Sequence, residues 1–166
     1  MIVSTPILLF DFNSDTDFSQ WYMTNDNVMG GVSNASILLD DNGNGVFSGA
    51  VSTDNNGGFA MTRLPLNIKL TKDSEKIIIR AKGDNKKYQF RIKSSYNQRY
   101  WYVQSFQTTD KMENIELKLK DFYPSFRGYP LDRENFSSLK ITEVAILIGN
   151  KKNEKFKLVI DKLTIK

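Results

Sequence analysis

Apolar and polar residues alternate along much of this chain with a period of two. Tyr88, Phe90 and Ile92 alternate with Gln89, Arg91 and Lys93, and Ile115, Leu117 and Leu119 alternate with Glu116, Lys118 and Lys120. Phe156, Leu158 and Ile160 repeat the pattern near the C-terminal end. Successive residues of a strand point to opposite faces, so each run predicts a strand with one dry side and one wet side. A helix would place its apolar residues three and four apart. Further strands are predicted at residues 7–12, 35–39, 46–51, 59–64, 76–82, 100–108 and 142–148. The last contains Val144-Ala145-Ile146-Leu147-Ile148, an unbroken apolar run that predicts burial on both faces.

Turn-forming clusters separate the runs: Asp40-Asp41-Asn42-Gly43-Asn44-Gly45, Asn55-Asn56-Gly57-Gly58 and Gly83-Asp84-Asn85. Asn and Gly tolerate the positive φ that tight hairpins need. Residues 132–139 are the one stretch read as a short helix. Many short strands, regular turns and no alternating helices predict an all-β fold, an antiparallel β-sandwich in which residues 1–166 form one domain.

Composition narrows the chemistry. The 166 residues contain neither Cys nor His. Disulfides, thiolate nucleophiles, Cys-rich zinc sites and any Ser-His-Asp triad are therefore excluded within the chain. A net charge of +4 is spread along the sequence rather than gathered in a stripe, which argues against nucleic acid as a partner. No apolar stretch approaches the roughly 20 residues needed to span a bilayer, and no basic segment precedes the apolar start. The expectation is a cytoplasmic protein that is not membrane-spanning.

Four segments carry candidate chemistry. Asp11, Asn13, Asp15 and Asp17 place oxygen ligands at alternate positions, as a calcium loop does. Thr16 and Tyr22 stand where an EF-hand needs Gly and Glu, so an Asp/Asn-rich turn is the favoured reading and no metal is expected. Residues 21–33 set Trp21 and Met29 beside Gly30-Gly31, without the pattern of a phosphate-binding loop. In residues 55–63, alternation puts Arg63 on the same face as Phe59 and Met61. A guanidinium on an apolar face needs an acid, an aromatic ring or a ligand. Residues 121–130 carry Phe122, Tyr123, Phe126, Arg127 and Tyr129, which either cap the core or present a binding surface.

Together these segments resemble the complex I intermediate-associated protein 30 family. The resemblance rests on Asn25-Asp26-Asn27-Val28-Met29-Gly30-Gly31-Val32-Ser33, on Asn55-Asn56-Gly57-Gly58-Phe59 with Arg63, and on Gly83-Asp84 with Tyr88 and Phe90. Phe106-Gln107-Thr108, Asp121-Phe122 through Phe126-Arg127-Gly128, and Phe156-Lys157-Leu158-Val159-Ile160-Asp161 complete it. It implies a jelly roll of the galactose-binding-domain-like kind and a non-enzymatic role as a chaperone-like assembly factor. With no Arg in the first 60 residues, a mitochondrial presequence is not expected, and the chain reads as a compact, bacterial-type member made of the domain alone.

The residues expected to form a shared binding surface are Trp21, Met29, Asn56, Arg63, Arg91 and Arg127. Arg91 points opposite to Phe90 and so away from the main core. Pairing of arginines with Asp26, merely bracing the loops, is the competing reading. A protein partner is the leading expectation, with no cofactor and no catalytic residue. The alternative is a carbohydrate-binding module using Trp21, Trp101, Tyr100 and Tyr102, although alternation separates Trp101 from its tyrosine neighbours. An enzyme would have to use a carboxylate pair drawn from Asp11, Asp26, Asp54 and Asp161.

Overall fold

The computed structural model describes residues 6–25, 33–54 and 58–166. Thirteen strands are present among them: β1 (Ile7–Asp11), β2 (Tyr22–Asn25), β3 (Asn34–Leu39), β4 (Gly45–Val51), β5 (Ala60–Lys69), β6 (Lys76–Lys82) and β7 (Lys87–Lys93). They continue with β8 (Trp101–Gln107), β9 (Glu113–Lys118), β10 (Tyr123–Phe126), β11 (Tyr129–Pro130), β12 (Lys140–Ile148) and β13 (Glu154–Ile165). One sheet runs in the order β3-β4-β13-β6-β9, with β1 also paired to β13, and the other runs β11-β10-β8-β7-β12-β5-β2. Every pairing is antiparallel. The architecture is an antiparallel β-sandwich.

Alternation decides which side chains fill the space between the sheets. Phe47, Ile77, Ile79, Phe90, Ile92, Ile146, Leu158 and Ile160 come from both inner faces and are buried. Removing each such side chain from water contributes roughly 1.5–3 kcal/mol. The central strand β12 is buried from Ile141 to Ile148, as its unbroken apolar run predicts.

Several elements depart from the pattern-based expectation, β2 and β11 among them. Residues 132–139 form no helix; Phe136 instead anchors an extended stretch by inserting into the core and donating its N–H to the Phe122 carbonyl at 2.9 Å. Strand β5 continues past Pro65 to Lys69 because the pairing with β12 shifts between Ile141 and Glu143, and this irregularity accommodates the proline. Strand β10 contains Pro124 and is also absent from the pattern reading.

Several segments shared with the family resemblance meet in one structural clasp. Asp84 accepts hydrogen bonds from the Tyr88 hydroxyl at 3.0 Å and from the Lys157 N–H at 2.8 Å, tying the β6–β7 turn to β13. Thr108 donates to the Lys86 carbonyl at 2.7 Å, and a Cβ at Gly83 would overlap the Thr108 side chain. Burial and then the nearby Asp84 charge push the Tyr88 hydroxyl pKa well above its ordinary value. These residues hold the sandwich together at one end.

Candidate functional site

The side of the second sheet that faces away from the main core is the richest chemical surface among the described residues. Register places Tyr22, Arg63, Ala145, Arg91, Val103 and Tyr123 in one row across six strands. A neighbouring row holds Glu143 opposite Lys93, with Trp101 and Ser125 beyond them. Beneath the polar groups lies a second apolar cluster, separate from the main core, made of Met61, Trp101, Val103, Ala145 and Leu147 with Phe59 packed against it. Long basic side chains cover this cluster with their stems while their heads reach outward.

Arg63 is satisfied on every side. Its Nε donates to Glu143 Oε2 at 2.8 Å and its Nη2 to Oε1 at 2.9 Å, a bidentate pair. The guanidinium also lies 4.9 Å from the Tyr22 ring centre and 5.1 Å from that of Trp101. Tyr22 donates its hydroxyl to Glu143 Oε2 at 2.6 Å. Burial, then the bond to Glu143 and its charge, push the Tyr22 hydroxyl up to about 12. Lys93 stands 3.9 Å from Glu143 Oε1 and 4.4 Å from the Trp101 ring centre. Burial lowers the Lys93 pKa, and the Glu143 charge opposes that shift.

Arg91 is different. It lies two strands from Arg63, across the small side chain of Ala145, which is roughly 10 Å at ordinary strand spacing. Its Nε and Nη2 both donate to Gln89 Oε1, at 3.0 and 2.8 Å, and no carboxylate among the described residues pairs with it. Desolvation pushes its guanidinium down to about 10, so it remains a cation at neutral pH.

The structure thus sets Arg63 and Arg91 on one face and places Trp21 and Arg127 away from them. Trp21 belongs to the main core, stacked on Phe12 and set edge-on to Phe10, and does not reach the outer face. Arg127 and Gly128, with φ of 50° and 85°, form the two-residue turn of the β10–β11 hairpin. That turn leaves Arg127 beside the Phe126 ring at one edge of the sheet, four strands from Arg63. Met29, Asn56 and Asp26 lie outside the described residues. Sequence reasoning missed Glu143, Lys93 and Tyr22 as members of the face, and named Tyr123 only within the aromatic segment 121–130. A signal existed for Glu143: an acid opens an otherwise apolar central strand, which demands a cationic partner.

Elsewhere the candidate chemistry dissolves into local structure. Asn13 Oδ1 accepts from the Asp15 N–H at 2.9 Å, and Asp17 accepts from the Ser19 N–H at 2.8 Å, which is turn and cap geometry. Among the described residues no group of three or more His, Cys, Asp and Glu side chains gathers as metal ligands would. Of the acids considered for hydrolysis, Asp161 pairs with Arg80 at 3.3 Å, while Asp11 and Asp54 are exposed. A cleft of about 700 Å³ lies at the ends of β6 and β9, lined by Leu70, Lys72, Lys118, Lys120 and Phe136, and contains none of the arginines discussed above. Among the described residues no helix is long and apolar enough to cross a membrane.

Residues 10–160 match the family model described as Complex I intermediate-associated protein 30. The chain belongs to that family. No curated protein matches it. Solved structures share the fold at low identity. A family 11 carbohydrate-binding module of Clostridium thermocellum, from the cellulosomal cellulase Lic26A-Cel5E, superposes with a TM-score of 0.70 at 18% identity, covering 99% of this chain and 95% of that one. A family 11 module from the same organism, in complex with a beta-1,3-1,4-mixed-linked tetrasaccharide, gives 0.69 at 19% identity over 96% and 94%. An exo-beta-agarase gives 0.62 at 12% identity over 96% of this chain and 25% of its own. This family member is therefore a jelly-roll-like β-sandwich of the kind seen in carbohydrate-binding modules.

Proposed function

We propose that this family member is a non-catalytic binding domain, a cytoplasmic protein-binding assembly or accessory factor that receives its partner on the outer face of the second sheet. One observation carries the reading: that face has its own apolar cluster, Met61, Trp101, Val103, Ala145 and Leu147, overlaid by Arg63, Arg91 and Lys93. A sheet face turned merely to water needs no second apolar layer; one that presents ordered cations over such a layer suits a macromolecular partner. A photo-crosslinking residue at Ser105, exposed opposite Gln89 on the outer face, should capture a reproducible protein in the source cells, whereas one at Leu38, exposed on the other sheet, should not. Equal capture at both positions, or none at Ser105, would reject the reading.

A second reading, carbohydrate binding on the same face, draws on Tyr22 and Tyr123, residues 41% and 38% exposed at the two ends of the row. Against it, Trp101 is only 8% exposed, with Arg63 and Lys93 already against its ring. Binding on a glycan array that disappears with Tyr123→Ala would favour the sugar over the protein.

A further inference from the structure

In the central row of the outer face, Arg91 holds a partly buried cationic head that its own fold does not neutralise. Arg63 has both oxygens of Glu143, and Lys93 has the same carboxylate and the Trp101 ring. Glu143 in turn accepts Arg63 twice and Tyr22 once, so little of its charge is left for anything else. A guanidinium has five N–H donors. Two of those on Arg91 go to the neutral carbonyl oxygen of Gln89, and the remaining three have no acceptor among the described residues.

Gln89 also fixes the head in place. Its oxygen holds Nε and Nη2 from one side, so the guanidinium plane is set before any ligand arrives. Tyr123, on the other side of Val103 in the same row, is near enough for its phenol to influence the Arg91 charge. Charge is unbalanced as well: among the described residues of this face, Arg63, Lys87, Arg91 and Lys93 stand against Glu143.

Building on the proposed outer-face binding site, we propose that Arg91 is a carboxylate-recognition residue and that the partner presents an acidic peptide segment to it, with Tyr123 as the adjoining contact. A planar, pre-set guanidinium with free donors matches a carboxylate in two parallel hydrogen bonds. The same chemistry occurs in a uronate sugar. A peptide is favoured because two of the three rings a sugar would stack on are engaged, with Arg63 over Tyr22 and both Arg63 and Lys93 over Trp101, which leaves Tyr123 as a single ring at the edge. The face then offers charge and edges rather than an open aromatic platform.

The test is a titration of the full chain with an N-acetylated, C-amidated hexaglutamate peptide, following the Arg91 Nε–H signal by NMR. The signal should move, and Arg91→Gln should weaken binding at least tenfold. Lys120→Gln, an equal charge change on a surface away from the face, should weaken it less than twofold. Gln89→Met frees the head while keeping its charge, and should weaken binding several-fold with the fold intact by urea denaturation. Equal losses from Arg91→Gln and Lys120→Gln would overturn the proposal, since general charge attraction would then explain the binding. A response to oligogalacturonate but not to the peptide would overturn the peptide assignment. An unmoved Arg91 signal with both probes would overturn the carboxylate role. If a crosslinker at Ser105 still captures a protein in that case, only this inference falls; if it does not, the outer-face reading falls with it.

Discussion

Arg63 and Arg91 stand two strands apart on one face, and their surroundings are opposite. Around Arg63 the fold supplies everything a buried cation requires: a bidentate acid, two ring faces and, through Glu143, a tyrosine hydroxyl. Around Arg91 it supplies a neutral amide oxygen. A cation that is fully paired braces the sheet, and a desolvated cation left without an acid is poised to meet one. The residue type is the same in both places. Only the neighbours assign the roles.

The comparison breaks most sharply at Glu143. Glu143→Gln strands Arg63 and Lys93 together, and should cost about 2–3 kcal/mol, read as a lower urea midpoint; the estimate sits below the range for fully buried pairs because the Arg63 side chain is 21% exposed. A loss below about 0.5 kcal/mol would show that the pair braces nothing. The double replacement Arg63→Met with Glu143→Leu should stay within about 1 kcal/mol of the parent, because apolar side chains of similar volume replace such a pair at little cost.

Arg91→Met should have the other sign. With no carboxylate lost, stability should hold or rise by up to about 1 kcal/mol, while partner binding falls. A drop comparable to that of Glu143→Gln would erase the distinction between the two arginines.

Tyr22 reports on the Arg63 side alone. Its hydroxyl is held up to about 12 in the fold, whereas an unfolded tyrosine loses its proton near 10. The raised value means its contribution is whole below pH 10 and is lost as pH rises toward 12. Absorbance titration should show a late-ionising group of phenols, Tyr22 together with Tyr88 and Tyr102, and Glu143→Gln should bring the Tyr22 part of it to lower pH. The smallest effect belongs to Arg127. Replacing it with Asn, which suits the first position of this turn at φ 50°, should raise stability by about 0.5 kcal/mol with no change in binding at Arg91.

Much of the fold was legible in the chain because alternation is a local property. The runs around Phe90, Leu117 and Leu158 announce their strands without reference to anything distant. Pro65 and Pro124 mark where that legibility stops, since a proline argues against a strand until a register shift or a sheet partner makes room for it. The candidate site was legible only in part. Alternation alone set Arg63 beside Met61 and turned Arg91 away from Phe90, and both placements hold in the structure. It gave no sign that Trp21 turns into the core and that Trp101 takes the place beside Arg63.

What the sequence determined by itself was the two-layered β architecture and the side of the strand on which each arginine stands, because both follow from the backbone's period of two. What only the tertiary structure decided was which arginine is paired. Glu143 lies 80 residues from Arg63 and meets it because β12 is laid between β5 and β7 in one register. A slip of one residue would turn that acid to the other face of the sheet.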